Sequence, residues 1–269
     1  MQEVVTLSYG QFQLVLNTLN LSIAVLGGFA LLFGMLRNSV APAYRISLAL
    51  MSAVVAMAAY HYFRLYQNWD VAFVFGGGEY KPSGTPFNYA YRYADWIGTV
   101  PLLLSAVVLV LDLGRQKSAS LVTRLVAAAL LMIGLGYVGE IERTNMLMRG
   151  IWGAASTLPF LYILALLWSE MTEVLDFESD RVRLLFNNLR LLLLASWGFY
   201  PIVFMFPMFG LSGAQVETAI QVGNSVADIA AKVGMGLLIF AIAREKSEEN
   251  ELIAGEYATE FSAQLNPAD

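Results

Sequence analysis

Asn224-Ser-Val-Ala-Asp228-Ile-Ala-Ala-Lys232-Val-Gly-Met-Gly-Leu-Leu-Ile-Phe240 is the stretch that decides how this chain is read. Lys232 sits in the middle of an apolar run, where it has no water. Asp228 precedes it by four residues, so both side chains fall on one helix face. A lysine so placed must pair, lose its proton or be chemically modified. A desolvated lysine is also the side chain that forms Schiff bases with aldehydes.

The composition sets the surroundings of that lysine. The chain has 269 residues, 58% of them hydrophobic and 14% charged, with a mean hydropathy of +0.60. Soluble domains carry about 25% charged residues, and the deficit points to a bilayer as solvent. Having no cysteine, the chain has no disulfide framework, thiolate catalysis or cysteine-ligated metal. His61 is the single histidine, which argues against a histidine-rich metal site. The net charge of -5 and the scattered basic residues argue against nucleic acid. Met1 to Gly10 lacks a basic leader, so no cleavable signal peptide is expected.

Seven apolar stretches are each about long enough to cross a ~30 Å hydrocarbon core. They run over 11–36, 44–66, 90–113, 119–139, 146–171, 183–209 and 216–243. The predicted fold class is therefore an all-α membrane protein, a bundle of seven transmembrane helices. The connections are short except for 67–89, where Gly76-Gly77-Gly78, Pro82 and Pro86 favour a small hairpin. Residues 1–245 read as one domain, and 246–269 as a polar, acidic, mobile cytoplasmic tail.

The distribution of Lys and Arg gives an orientation. One set of loops holds Arg37, Arg45, Arg115, Lys117, Arg124, Arg181, Arg183 and Arg190, with Arg244 and Lys246 after the last span. The opposite side holds Lys81, Arg143 and Arg149, with Arg64 near its edge. The richer side is expected in the cytoplasm. The N-terminus is then outside and the C-terminus inside a multi-pass cell (inner) membrane protein.

The third span adds a second polar group. Arg92, Asp95 and Thr99 are spaced i, i+3, i+7 and share a face. Ionisable groups inside a membrane are costly and point by default to function, although Arg92 and Asp95 alone also read as a structural ion pair. Asp228 and Lys232 change that weighing: two carboxylates, one lysine and one arginine make a balanced buried set. Trp96, Trp197, Tyr200 and Phe204 offer an aromatic box for a long apolar ligand. Such a stripe is more often plain core. Here it coincides with Pro201, which kinks its helix and frees carbonyls.

Three segments carry a resemblance. Arg92-Tyr-Ala-Asp-Trp with Thr99-Val-Pro-Leu-Leu, Trp197-Gly-Phe-Tyr-Pro201, and Asp228-Ile-Ala-Ala-Lys232-Val-Gly resemble the signatures of microbial (type 1) rhodopsins, in the right order across all seven spans. The resemblance implies all-trans-retinal bound to Lys232 as a protonated Schiff base. By position Asp95 matches the primary proton acceptor, Thr99 its hydroxyl partner, Asp228 the second counter-ion and Arg92 the gating arginine. Trp96, Trp197 and Tyr200 match the residues that sandwich retinal, and Leu103 a colour-tuning position where leucine goes with green absorption. Met132, Gly136, Ser156, Thr157, Phe160, Pro201 and Phe204 are expected along the same ligand.

Ala59-Tyr60-His61-Tyr62 resembles the second span of the proteorhodopsin and xanthorhodopsin branch, which implies that His61 pairs with Asp95. Alone, His61 reads as a satisfied core histidine. Gly84-Thr-Pro-Phe-Asn-Tyr-Ala-Tyr-Arg-Tyr and Arg149-Gly-Ile-Trp-Gly-Ala-Ala-Ser-Thr-Leu-Pro-Phe160 are similar to the xanthorhodopsin side of that branch. There Gly153 stands for a fenestration that admits a carotenoid antenna. The plain alternative is helix packing at a small residue.

One position departs from the pattern. Eleven residues after Asp95, where such pumps carry a carboxylic acid, this chain has Ala106, preceded by Ser105. The motif is Asp95-Thr99-Ala106, and Asp112 belongs at the helix end. The expected function is a light-driven outward proton pump without a carboxylic donor. Its partners would be protons, lipid and further copies of itself in a trimer or pentamer, with no nucleic acid, no metal and no enzymatic activity. The alternatives are a slow-cycling photosensor, an inward proton pump, and a seven-span transporter without photochemistry. The acid at Asp95 disfavours chloride pumping, and Thr99 disfavours sodium pumping.

Overall fold

The computed structural model describes residues 5–142 and 144–265, with 257–265 as main chain only. Arg143, one of the loop charges, lies outside the described residues, as do residues 1–4 and 266–269. The described chain is a bundle of seven helical rods. They are α1 Tyr9–Leu36, α2 Arg45–Ala72, α3 Ala90–Leu111, α4 Arg115–Ile141, α5 Met146–Leu175, α6 Asp180–Phe204, and a last rod built from α7 Ala214–Ile229, a π-helical turn Ala230–Gly234 and α8 Met235–Leu265. Successive helices pack side by side, and α7 returns to α1, which closes the ring.

Six of the rods are long and apolar enough to cross a membrane: 9–39, 42–72, 90–111, 115–141, 146–175 and 214–256. This makes the chain a multi-pass membrane protein. The helix α6 is not among them, although it was expected to be a span. Asn187, Asn188 and Arg190 enter its apolar stretch. Arg190 is buried, donates to Thr172 Oγ1 at 2.8 Å and covers the Trp168 ring at 4.9 Å. It belongs to the packed interior rather than to a loop.

Local signals set the helix ends. Ser8 caps α1 in a reciprocal capping box with Gln11. Ser179 caps α6 through Val182 N, and Asn145 caps α5 through Met148 N. Asp112 takes a left-handed conformation, φ 57°, and ends α3 just ahead of Gly114. The helix α2 runs past residue 66 to Ala72, because Leu65 and Trp69 still face inward and are buried. The expected hairpin follows: Phe73–Gly76 (β2) pairs antiparallel with Glu79–Pro82 (β3), turning at Gly77 and Gly78, both with positive φ. Leu7–Ser8 (β1) adds a third strand on β3, so the N-terminus is tied into the sheet. Phe12 stacks on Tyr80 at 3.7 Å and packs near Trp69, sealing this end of the bundle.

At the other end the last rod does not stop at residue 245. It continues as helix to Leu265. Lys246 and Ser247 are still packed: Lys246 Nζ donates to Glu178 Oε1 at 2.7 Å, and Ser247 Oγ accepts from Ala41 N at 2.8 Å.

Candidate functional site

Lys232 lies on the π-helical turn 230–234, a local widening that often marks a functional position. Its ammonium is buried midway along the bundle. Nζ is 2.9 Å from Asp95 Oδ2 on α3 and 2.8 Å from Asp228 Oδ1 one turn earlier on its own rod. The charges anticipated from the third and seventh spans therefore meet at one point. Such burial is tolerated only when each charge is paired and hydrogen-bonded.

The two carboxylates are held differently. Asp228 Oδ1 also accepts from Tyr200 OH at 2.7 Å and Trp96 Nε1 at 3.3 Å, and Oδ2 accepts from Tyr62 OH at 2.7 Å. Asp95 meets the lysine and nothing else: Oδ1 is buried without a hydrogen-bond partner. Thr99 Oγ1 donates to the main-chain carbonyl of Asp95 at 2.9 Å, not to its carboxylate. His61 Nδ1 is likewise buried without a partner, so no direct His61–Asp95 bond is formed.

Arg92 does not pair with Asp95, the alternative its spacing had raised. It turns toward the last rod, with Nη1 3.8 Å from Asp228 Oδ2 and 3.3 Å from Tyr62 OH. Nη2 donates to Gln221 Oε1 at 2.6 Å. Gln221 Nε2 in turn donates to Glu217 Oε1 at 2.8 Å, which also accepts from Tyr89 OH at 2.7 Å. This polar chain reaches an open cavity of about 630 Å³, lined by Tyr89, Arg92, Glu217 and Asn224 among others, at the end that holds the N-terminus. Sequence reasoning did not find Tyr62, Gln221 and Glu217 as site residues. Gln221 is two turns before Asp228 on the same face, and that spacing was the available signal.

On the other side of Lys232 lies a mostly apolar cavity of about 400 Å³, within the roughly 300–1,000 Å³ range of small-molecule sites. Trp96, Leu103, Met132, Gly136, Gly153, Ser156, Thr157, Phe160, Trp197, Tyr200, Pro201, Phe204 and Lys232 all line it, as do Tyr93, Val100, Ile133, Ala154 and Met208, which were not anticipated. A long apolar aldehyde fits this shape: an apolar slot with an amine and two acids at its end. Gly136 permits a close approach, since a Cβ there would stand 3.2 Å from Ser156 Oγ. At Gly153 the space left by the missing side chain is filled from inside. A Cβ would stand 2.6 Å from Phe204 Cε1. Arg149 clamps that ring, covering it at 4.2 Å and donating to the Phe204 carbonyl from Nε and Nη2. Arg149 also pairs with Glu140 and is buried, so it is no loop charge. Ala106 is wholly buried and apolar, and Ser105 Oγ is spent on the Pro101 carbonyl at 2.8 Å.

A seven-helix membrane bundle with a lysine-ended apolar cavity and two carboxylates on the lysine defines the class. The sequence profile described as "Bacteriorhodopsin-like protein" matches residues 11–246, and the chain belongs to this microbial, type-1 rhodopsin family. It is 33% identical to bacteriorhodopsin of Halobacterium salinarum (strain ATCC 700922 / JCM 11081 / NRC-1) over 196 residues, 71% of this chain and 69% of that one. The crystal structure of thermophilic rhodopsin superposes with a TM-score of 0.88 at 45% identity, covering 92% of this chain and 99% of that one. Xanthorhodopsin, described as a light-driven ion pump with dual chromophore, superposes with a TM-score of 0.88 at 44% identity, covering 93% and 99%. Membership makes the chain a retinal-binding, light-driven ion-transporting rhodopsin, a class of pumps and photoreceptors rather than of enzymes.

Proposed function

We propose that this rhodopsin is an outward proton pump whose Asp95-Thr99-Ala106 motif lacks a carboxylic donor. Retinal joined to Lys232 Nζ supplies a light-isomerisable, proton-carrying imine. The chain's own residues do the rest. Trp96, Trp197 and Tyr200 orient the ligand, and the apolar lining keeps water from it. Asp95 takes the proton, since its Oδ1 has no other partner. Asp228 stays anionic, because protonation would break bonds to Tyr62, Tyr200 and Trp96. Arg92 separates this centre from the open cavity. His61, whose Nδ1 is buried without a partner, is assigned to act on Asp95 by likeness to the proteorhodopsin and xanthorhodopsin branch.

The single observation that carries this reading is the position of Lys232. It touches an acid with a spare oxygen, and a polar chain through Asp228, Arg92 and Gln221 leads from it toward an open cavity. The N-terminus and the open cavity face outside and the C-terminus faces the cytoplasm, on the Lys/Arg bias. The membrane is the cell membrane, and the assembly a trimer or pentamer. Illumination of unbuffered cells tests the function. Reversible external acidification, abolished by a protonophore, supports it; alkalinisation would mean inward transport.

Ala106 itself favours a second reading. With no buried donor acid the cycle would be slow, as suits a sensor that signals through a long-lived state. Robust pigment without any light-driven pH change would select that reading. A carotenoid antenna at Gly153 is the further element that likeness to the dual-chromophore pump supports. It requires Phe204 to turn away from Gly153.

A further inference from the structure

We infer that Arg190 marks a binding site for the phosphate of an anionic phospholipid, in the lipid-facing groove between α5 and α6. Arg92, Arg149, Arg190, Lys232 and Lys246 are the buried cations among the described residues. Four of them stand within 3.8 Å of a carboxylate: Arg92 and Lys232 at Asp228, Arg149 at Glu140 and Lys246 at Glu178. Arg190 forms no ion pair with any described acid; its partners are all neutral. The acids of this end of α5, Glu170 and Glu173, are engaged by Lys117. A buried charge is costly without a counter-ion, and here the chain supplies none.

The guanidinium keeps bonding capacity to spare. Nη2 donates to the Trp168 carbonyl at 3.1 Å and to Thr172 Oγ1 at 2.8 Å, while Nε has no partner. Nη1 makes only a long contact, 3.4 Å, to Asn187 Oδ1. Asn187 is exposed, as are Trp168 and Thr172, so the weakest contact lies at the mouth of the groove. In a membrane, lipid meets that mouth. The depth suits a headgroup. Arg190 is seven residues from Trp197, a wall residue of the apolar cavity, toward the end of α6 that carries Arg181 and Arg183. At 1.5 Å per residue that is roughly 10 Å. For a cavity midway along the bundle, about 5 Å then remains to the edge of a ~30 Å hydrocarbon core. An arginine covers such a distance by snorkelling, and its fork takes two phosphate oxygens. The Trp168 ring, half-exposed and 4.9 Å from the guanidinium, adds an indole of the kind found at headgroup level.

Native mass spectrometry of the retinal-loaded full chain, released from nanodiscs of mixed phosphatidylglycerol and phosphatidylcholine, tests this. Phosphatidylglycerol should be retained in roughly fivefold preference, equivalent to about 1 kcal/mol for one basic residue near the membrane surface. Arg190→Gln should lose the preference. Asn187→Asp keeps the test open should that variant fail to fold. It sets a carboxylate beside Nη1, supplies the counter-ion from within and should likewise erase the preference, with the dark visible spectrum unchanged. No preference in the unmodified chain, or one that survives Asn187→Asp, overturns the inference. Inorganic phosphate added to the delipidated protein in detergent separates the source. If it raises the thermal midpoint as far as phosphatidylglycerol does, and Asn187→Asp removes both effects, the site takes a free anion and the lipid assignment falls.

Discussion

Asp95 and Asp228 share one cation but not one environment. Both stand within 2.9 Å of Lys232 Nζ, yet Asp228 also accepts hydrogen bonds from Tyr62, Tyr200 and Trp96, whereas the carboxylate of Asp95 meets only the lysine. One acid is built into the frame and the other is left able to change.

This asymmetry gives a stability prediction. Asp228→Asn leaves Lys232 and Arg92 facing a single carboxylate, and puts an amide where three donors had a charge to meet. Breaking a buried pair by removing one partner costs roughly 3–5 kcal/mol. The thermal midpoint of Asp228→Asn should therefore fall well below that of Asp95→Asn, which strips only the lysine contact. Equal midpoints for the two variants would show that the extra donors add nothing.

Lys232 is expected to be the point of retinal attachment, being the lysine at the end of the apolar cavity. Borohydride reduction after incubation with retinal should add one retinyl mass to the unmodified chain and none to Lys232→Ala. A stable adduct and visible band in the variant would place the attachment elsewhere.

The charged centre was legible because each of its members breaks an apolar run: Lys232 and Asp228 four residues apart, Arg92 and Asp95 three apart. The cavity lining was legible through resemblance, with every expected residue on its wall. What stayed hidden is relational. Tyr62 reaches Asp228 across 166 positions and Tyr89 reaches Glu217 across 128, and no local spacing encodes such a meeting. The same holds for Phe204 filling the space at Gly153. The π-helical turn was also invisible, since nothing in Ala230-Ala-Lys-Val-Gly234 distinguishes a π-helical turn from an ordinary α-helical one. At α6 the sequence reading expected a span, but Asn187, Asn188 and Arg190 leave that helix outside the six apolar enough to cross a membrane, and Arg190 is bonded to Trp168 and Thr172.

Asp95 and His61 are predicted to titrate together. Acidification should shift the visible band to the red as Asp95 takes a proton, and His61→Ala should displace the midpoint of that titration. Both side chains keep a buried polar atom without a partner, an arrangement that costs roughly 1–3 kcal/mol per group if left so. A midpoint unchanged in the variant would show that the histidine does not act on the acid.

A carotenoid antenna needs the space that Phe204 now fills. Phe204→Ala should increase binding of a hydroxylated carotenoid, seen as resolved carotenoid bands and energy transfer to retinal. Gly153→Trp should abolish both, since even a Cβ there would stand 2.6 Å from the ring. Absence of binding in the unmodified protein and in Phe204→Ala alike would reduce Gly153 to helix packing.

Ala106 occupies the place of a proton donor on α3 and is wholly buried. A methyl group has no proton to give, and Ser105 beside it is already bonded to the Pro101 carbonyl. Asp112, the next acid along α3, sits past the helix end near Tyr44. The proton that restores the dark state must then come from the cytoplasmic bulk, so recovery of the visible band after a flash depends on its concentration. Recovery should slow as pH rises, by roughly tenfold per unit where direct uptake limits, as for any step whose acid is the solvent proton itself. Azide, a small weak acid, should speed recovery by carrying protons through the apolar barrier. Ala106→Glu should supply an internal donor and flatten the pH dependence, since that carboxyl is refilled on its own schedule rather than in the rate-limiting step. Recovery that is already fast in the unmodified protein, and indifferent to both pH and azide, would mean that another residue donates and that the cytoplasmic half holds a proton path outside α3.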